Sequence, residues 1–439
     1  MTGQDVIVDR LRAVPESAPA ASGAPGVVEV AFATGRTARV DTAAPAAHAW
    51  LDAMSSLQEA GLPAYVVVDA DSRLVTDVLV PLSVRVVGLR TDAPDAVEVE
   101  LAISQARHWL PRSSPRFDEL LRRLDEAREH DAPVLVTERT DTHAIIDVRD
   151  LPADLPPPPL PSGREAAREA PELASPVSFA VASSMFALVN GRTACSSQPV
   201  APGIPFTYPD DGCWGRAHEM SRLMALQGVV SDKVWIYGDL RVATANNPSC
   251  EVYWGWHVAP TLPVVVGSST ETYVIDPALF PSPVPRATWA GVQGDPSPTL
   301  VATGSEVFYR SPTGSITLDP TYSQTNSVLT TYRTQLLLRS ASSSGPPPYP
   351  QCVVRPPGTQ WFGTLGPNQT GRWFTFGWPA GSHIVWTVMP TTICPGTPQV
   401  RWKTAVERAS TTQATYWITV TNLTPHTIRF EGRYDVLAA

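Results

Sequence analysis

Apolar and polar positions along the first 150 residues repeat in two rounds. Val28-Glu29-Val30 returns as Val97-Glu98-Val99, the period-two alternation of a half-buried strand. Pro45 returns as Pro115, Pro63 as Pro133, Val66-Val67 near Val136-Thr137, and Asp77-Val78 as Asp147-Val148, at an offset of 69 to 70 residues throughout. Each round predicts strand, helix, strand, strand. The helices are expected over about 46–60 and 115–129, each opening at a proline, a residue suited to a helix's first turn. In the second helix Leu120, Leu121, Leu124 and Ala127 form an apolar stripe, while Arg122, Arg123, Glu126 and Arg128 face water. The region 1–152 therefore reads as a duplicated α+β module, with copies at about 27–90 and 96–150. No cluster of nucleophile, base and acid falls within it, so no catalysis is expected there.

Proline then breaks the pattern twice. Leu155-Pro156-Pro157-Pro158-Pro159-Leu160-Pro161 lies in a predicted linker over 153–174, since proline fixes its backbone and lacks an N–H. Ser342-Ser343-Ser344-Gly345-Pro346-Pro347-Pro348 separates a middle region, 175–340, from a last one, 351–439. The last region holds short alternating strands, among them Trp373–Phe376, His383–Val388, Val400–Lys403, Tyr416–Val420 and Thr427–Phe430. Strands of this length separated by turn residues predict a β-sandwich, folding independently behind its proline-rich break. Six of the 13 tryptophans lie there. Core packing accounts for them most simply, and a sugar- or surface-binding face is the other reading.

The candidate chemistry sits in the middle region. In Tyr208-Pro209-Asp210-Asp211-Gly212-Cys213-Trp214-Gly215-Arg216-Ala217-His218, a turn leads into a helix expected to run to about Gly228. Asp210 or Asp211 is expected to cap it. Cys213 would then face unpaired N–H groups and the positive end of the helix dipole, both of which favour thiolate. A lone cysteine is more often a small buried hydrophobe, so the residues that could serve it decide the matter.

Tyr253-Trp254-Gly255-Trp256-His257-Val258-Ala259 and Thr272-Tyr273-Val274-Ile275-Asp276 read as two strands, with Gly267-Ser268-Ser269-Thr270 as their turn. A hairpin centred there sets Asp276 opposite Ala259, two residues from His257, so His257 and Asp276 become diagonal neighbours on one face. His218 is nearer in sequence, but five residues along a helix turn it roughly 140° away from Cys213. It is expected to be structural or solvated.

These words resemble those of the bacterial protein-glutaminase family. The resemblance rests on Phe206-Thr207-Tyr208-Pro209, Asp211-Gly212-Cys213, Arg216-Ala217-His218, Val234-Trp235-Ile236-Tyr237-Gly238-Asp239-Leu240, His257-Val258-Ala259, Ile275-Asp276-Pro277-Ala278-Leu279-Phe280 and Phe308-Tyr309-Arg310-Ser311-Pro312. It covers about 178–338. It implies a papain/transglutaminase-like α+β catalytic domain that hydrolyses protein-bound glutamine to glutamate and ammonia. Cys213 would be the nucleophile, His257 the base and then acid, and Asp276 the group orienting the imidazole. The second repeat also resembles the pro-segment of this family, which implies that 1–152 inhibits the enzyme until a protease cuts the linker, where Arg164 and Arg168 stand. The first copy is a duplication not associated with the family. Export is implied as well, although Met-Thr-Gly-Gln-Asp-Val has neither the basic nor the apolar region of a signal peptide.

Composition excludes more than it identifies. A net charge of −9 argues against a nucleic-acid partner. No apolar run is long enough for a membrane helix, and neither metal-ligand cysteine pairs nor a glycine-rich phosphate loop is present, so no cofactor is expected. Of five cysteines, Cys213 is the odd one. Cys195–Cys250 and Cys352–Cys394 are the expected bridges, unless the chain stays in a reducing compartment where neither forms. A transglutaminase or a cysteine protease would use the same three residues. A reading of another class is a surface-binding or adhesive protein whose sandwich does the work.

Overall fold

The repeat appears as two successive modules that each pack antiparallel strands on one helix, five in one sheet in the first and two three-stranded sheets in the second. A computed structural model describes residues 3–15, 26–155, 157, 163–164, 174–196, 201–353, 358–394 and 396–438. In the first module the strand Gln4–Ala13 lies at the centre of five, flanked by Val27–Phe32 then Thr37–Asp41 on one side and Pro63–Asp69 then Val75–Leu79 on the other. Helix α1, Ala47–Glu59, buries Leu51, Ala53, Met54 and Leu57 against Ile7, Val30 and Val66 of that sheet. The second module repeats the plan around α2, Phe117–Glu129, whose Leu120, Leu124 and Ala127 face Val97, Val99, Val134 and Val136.

Two details differ from the sequence pattern. Leu82–Val84 pairs with Val134–Glu138, and Val86–Arg90 pairs with Ala96–Leu101. Together they play the part of Gln4–Ala13, which pairs with Pro63–Asp69 and Val27–Phe32. Leu82–Arg90 therefore opens the second module rather than ending the first. Each module also has a strand before its helix, Thr37–Asp41 or His108–Pro111, that the expected order lacked. The prolines stand one residue before the N-caps Ala46 and Arg116, not inside the first turn.

The middle region is also α+β. Helices α3, Phe179–Asn190, and α4, Cys213–Ala225, precede a five-stranded antiparallel sheet. Its order is Val284–Pro285, Ser269–Val274, Glu251–Val266, Asp232–Ala243, Thr299–Gly304. A short helix α5, Arg286–Gly291, follows the first of these edge strands, and α6, Ser323–Ala341, closes the region. Trp214 and Ala217 of α4 pack on Trp235, Trp256 and Val258 of the sheet and on Tyr332 and Leu336 of α6. The far end of α6 carries Leu337 and Leu338 into the core of the first module, so the regions share apolar contacts. Of the linker, only 153–155, 157, 163–164 and 174 are described; Gly163–Arg164 pairs with Ser315–Ile316, and Arg168 lies outside the described residues.

The last region forms two three-stranded antiparallel sheets, ordered Thr359–Leu365, Ile428–Ala438, His383–Pro390 and Thr370–Pro379, Gln413–Asn422, Val400–Glu407. Leu365, Trp386, Ile418, Val420 and Phe430 from both sheets make one core, with Trp361, Trp373 and Trp378 packed on it. Trp402 is exposed, and Trp417 pairs with the exposed Phe374 at a ring separation of 5.2 Å.

The cysteines join differently from the expectation. Cys195 bonds Cys394 and Cys250 bonds Cys352, so both bridges tie the middle region to the last one. Pairing by nearness in sequence fails because the last region folds back over the loops that carry Cys195 and Cys250. The proline-rich break is part of that contact: Tyr349 is buried and donates its N–H to Ala245 O at 2.7 Å. The break is thus packed on the middle region, where its composition predicted a last region folding independently behind it. Among the described residues no helix is long and apolar enough to cross a membrane.

Candidate active site

Helix α4 begins at Cys213, and its N-cap is Gly212 in the left-handed region at φ 83°. A side chain there would strike the Tyr332 ring, which lies 2.3 Å from an added Cβ. The turn thus needs glycine for its backbone angle and for space. Neither aspartate caps the helix as expected. Asp211 accepts from the Gly212 N–H at 2.9 Å and from Tyr332 Oη–H at 2.6 Å. Asp210 accepts from Asn247 Nδ2 at 2.5 Å and from Arg339 at 2.9 Å. Arg216, also buried, donates to the carbonyls of Asp211 and Tyr208 at 2.5 and 3.0 Å. These bonds hold the turn from three sides.

The hairpin closes at Val266 and Ser269 and keeps one register through Thr261 opposite Val274. Extending that register by two residues sets Asp276 across from Ala259. His257 Nε2 and Asp276 Oδ2 are 2.8 Å apart. Both are buried, at 1% and 3% exposure. His257 Nδ1 has no hydrogen-bond partner among the described residues, so the ring nitrogen away from the carboxylate is the one left for chemistry. Two indoles fix the imidazole plane: Trp254 stacks on it at 4.5 Å and Trp289 at 5.5 Å. Trp289 Nε1 also donates to Asp276 Oδ2 at 2.9 Å. Burial would raise the Asp276 carboxyl, but His257 and the Trp289 N–H outweigh it and keep it below the usual carboxylate range. Burial lowers the His257 pKa against the pull of Asp276, which leaves a neutral base beside an ionised partner.

Cys213 is 1% exposed, and burial pushes its thiol well above the ordinary range despite the nearby Arg216. The thiolate expected from the helix terminus is therefore not the state of this form of the protein. The cause is a cover. Residues 102–107 of the second module lie along the start of the Glu251–Val266 strand. Ala106 bridges antiparallel to Trp254, Gly255 N–H donates to Gln105 O at 2.9 Å, and Trp256 Nε1 donates to Ser104 O at 3.0 Å. Ser104 Oγ donates to Asp211 at 2.6 Å and touches His108 Nε2 at 2.8 Å. Behind it, the buried Glu138 joins His108 Nδ1 at 2.5 Å and His143 Nδ1 at 2.9 Å. Gln105, also 1% exposed, reaches the reactive end of α4: the Cys213 N–H donates to its Oε1 at 2.9 Å.

His218 is elsewhere. It is buried, lies 2.9 Å from Lys233 Nζ through Nδ1, and meets the Asp319 carbonyl at 3.3 Å through Nε2. Sequence reasoning missed Trp254, Trp289, Arg216, Asp211 and Gln105. Arg216 and Asp211 stand inside the motif and were legible as neighbours of Cys213, whereas nothing in the local pattern marks Trp289 or Gln105.

Comparisons with known proteins find relatives of the middle region. A family model described as glutaminase matches residues 182–293. A solved protein-glutaminase is 34% identical over 36% of this chain and 89% of its own, with a TM-score of 0.33. The protein-glutaminase from Chryseobacterium proteolyticum, solved by NMR, is 32% identical over 41% of this chain and 98% of its own, with a TM-score of 0.34. A pro-protein-glutaminase is 25% identical over 63% of this chain and 99% of its own, at 0.46. Identity along the sequence, rather than superposition, carries these relationships. No curated protein matches the chain.

Proposed function

This chain belongs to the protein-glutaminase family, and from that premise we propose that Cys213, His257 and Asp276 carry out its chemistry. The protein is a protein-glutamine-deamidating enzyme. In the proposed reaction, on a papain/transglutaminase-like catalytic domain over 175–340, the Cys213 sulfur attacks the side-chain amide carbon of a glutamine. The thiol proton passes to His257 Nδ1. Asp276, bonded to Nε2, fixes the ring's tautomer and stabilises the imidazolium that forms. The Cys213 N–H donates to the oxygen on which charge develops. His257 returns the proton to the departing ammonia, then draws one from water, which releases glutamate and the free thiol.

The observation that carries this reading is the His257–Asp276 bond at 2.8 Å with Nδ1 left unpartnered, together with Cys213 at a helix start in one packed cluster with Val258, the residue after His257. The test is ammonia release from a glutamine-containing protein with neither cross-links nor new termini. Cross-links would indicate amine in place of water, as in a transglutaminase, and new termini a protease.

The cover over Cys213 supports a second part of the proposal, that residues 1–152 act as an inhibitory pro-region. An external protein substrate cannot reach a thiol beneath Ser104-Gln105-Ala106. Held by the same chain, the cover has an effective concentration of roughly millimolar for a short tether. Cutting within 153–174 removes that advantage, and loss of the released part makes activation permanent. Two disulfides fit an oxidising compartment, which supports export. The β-rich last region would serve targeting or stability.

A further inference from the structure

Gln105 is held as a reactant would be. Its side-chain oxygen accepts from the Cys213 N–H at 2.9 Å, and its side-chain nitrogen donates to Pro209 O at 3.1 Å. Its own N–H donates to Asp211 Oδ1 at 3.0 Å, and its carbonyl accepts from Gly255 N–H at 2.9 Å. Both ends of the amide and both sides of its backbone are thus fixed beside the proposed nucleophile. An inert plug needs no amide at this point, because a small apolar residue fills a cleft without presenting a cleavable C–N bond.

We infer that Gln105 is a substrate of Cys213 in the same chain, deamidated once to glutamate before or during activation. The inference rests on the function proposed above. Sulfur adds to Cδ of Gln105 and the thiol proton moves to His257. The C–N bond breaks and the nitrogen leaves as ammonia with that proton. Ammonia and water are close in size, so its departure vacates room for one water molecule. That water adds to the thioester, the C–S bond breaks, and the products are a glutamate side chain at position 105, the Cys213 thiol and ammonia.

The product binds its own site less well. Glutamate cannot donate to Pro209 O, and its charge falls against that carbonyl oxygen in a buried site. The reaction would therefore loosen residues 102–107 from the cleft, making the cover a single-use lock rather than a permanent one.

Trypsin digestion of the denatured full chain yields Thr91–Arg107, in which Gln105 is the single side-chain amide. Mass spectrometry of that peptide tests the inference. The expected result is one acid at Gln105 per chain, carrying one heavy oxygen when the protein is made or incubated in heavy-oxygen water, and complete loss of the conversion in Cys213→Ala. A peptide joined to Cys213 with loss of ammonia would also support it, as the same attack halted before water. An intact Gln105 in a wild-type chain whose liberated catalytic region deamidates an external protein would overturn it while leaving the function standing. Conversion at the same rate in Cys213→Ala would overturn it too. Failure of the liberated enzyme on any external glutamine would instead count against the function.

Discussion

Trp289 donates its indole N–H to the same Asp276 oxygen that holds His257, at 2.9 Å. The carboxylate is therefore aimed from two sides, and the indole ring also stacks on the imidazole it helps to orient. Trp289→Phe keeps an aromatic ring there but removes the N–H and part of the buried indole. A hydrogen bond to a charged group contributes about 1.5–3 kcal/mol, part of which orients the base. The expected result is a kcat lower by about tenfold with KM little changed. Asp276→Asn should cost more, toward 10⁴-fold if it holds the wrong tautomer, yet leave measurable turnover. Steady-state kinetics on a glutamine peptide with the liberated enzyme compares the two, and an unchanged kcat in Trp289→Phe would show that Asp276 needs no help from Trp289.

Cys213→Ala and His257→Ala should each abolish ammonia release while the protein still folds. His218→Ala should act differently. It strips Lys233 Nζ of a partner in a buried site, where Val307 O also accepts from it, so it should lower Tm rather than kcat in the enzyme that remains folded. Calorimetry and turnover together separate these cases, and loss of chemistry in a stable His218→Ala variant would reassign that residue.

Lys233 makes stability depend on pH. Burial lowers its pKa from 10.5 to about 7. Between those values the unfolded chain holds a proton that the folded chain lacks, so stability rises with pH. The penalty is greatest below about 7 and fades toward 10.5. In urea titrations at pH 7 and 9, wild type should gain on Lys233→Met by about 1 kcal/mol per pH unit. Parallel behaviour of the two proteins would mean that Lys233 keeps an ordinary pKa.

The disulfides should matter for stability more than for chemistry. Cys250–Cys352 closes a separation of 102 residues, for which the loop-entropy account gives about 4–5 kcal/mol. The double variant Cys250→Ser/Cys352→Ser should melt well below wild type and keep its kcat at low temperature. Equal melting points would show that packing and the remaining Cys195–Cys394 bridge suffice to join the two regions.

Cutting the full chain within 153–174 and separating 1–152 should raise deamidation of an external protein by at least tenfold. An uncut chain already as active as the separated catalytic region would refute the inhibitory role.

Local pattern determined much of this protein. The offset of 69 to 70 residues announced a duplicated α+β module, because period-two alternation and proline punctuation act through neighbours in the chain. The glycine before Cys213 and the hairpin turn at Gly267 were legible for the same reason, and strand register carried Asp276 to within a hydrogen bond of His257. Other features depend on segments far apart in sequence. Gln105 lies 108 residues from Cys213, and no local rule brings a loop glutamine of one module to the helix start of another region. The disulfide pairs cross between regions because the last one folds back on the middle one. The protonation of Cys213 followed the same division. The helix terminus favours thiolate and is read from sequence, but the cover that excludes water is tertiary, and desolvation outweighs the dipole until that cover leaves.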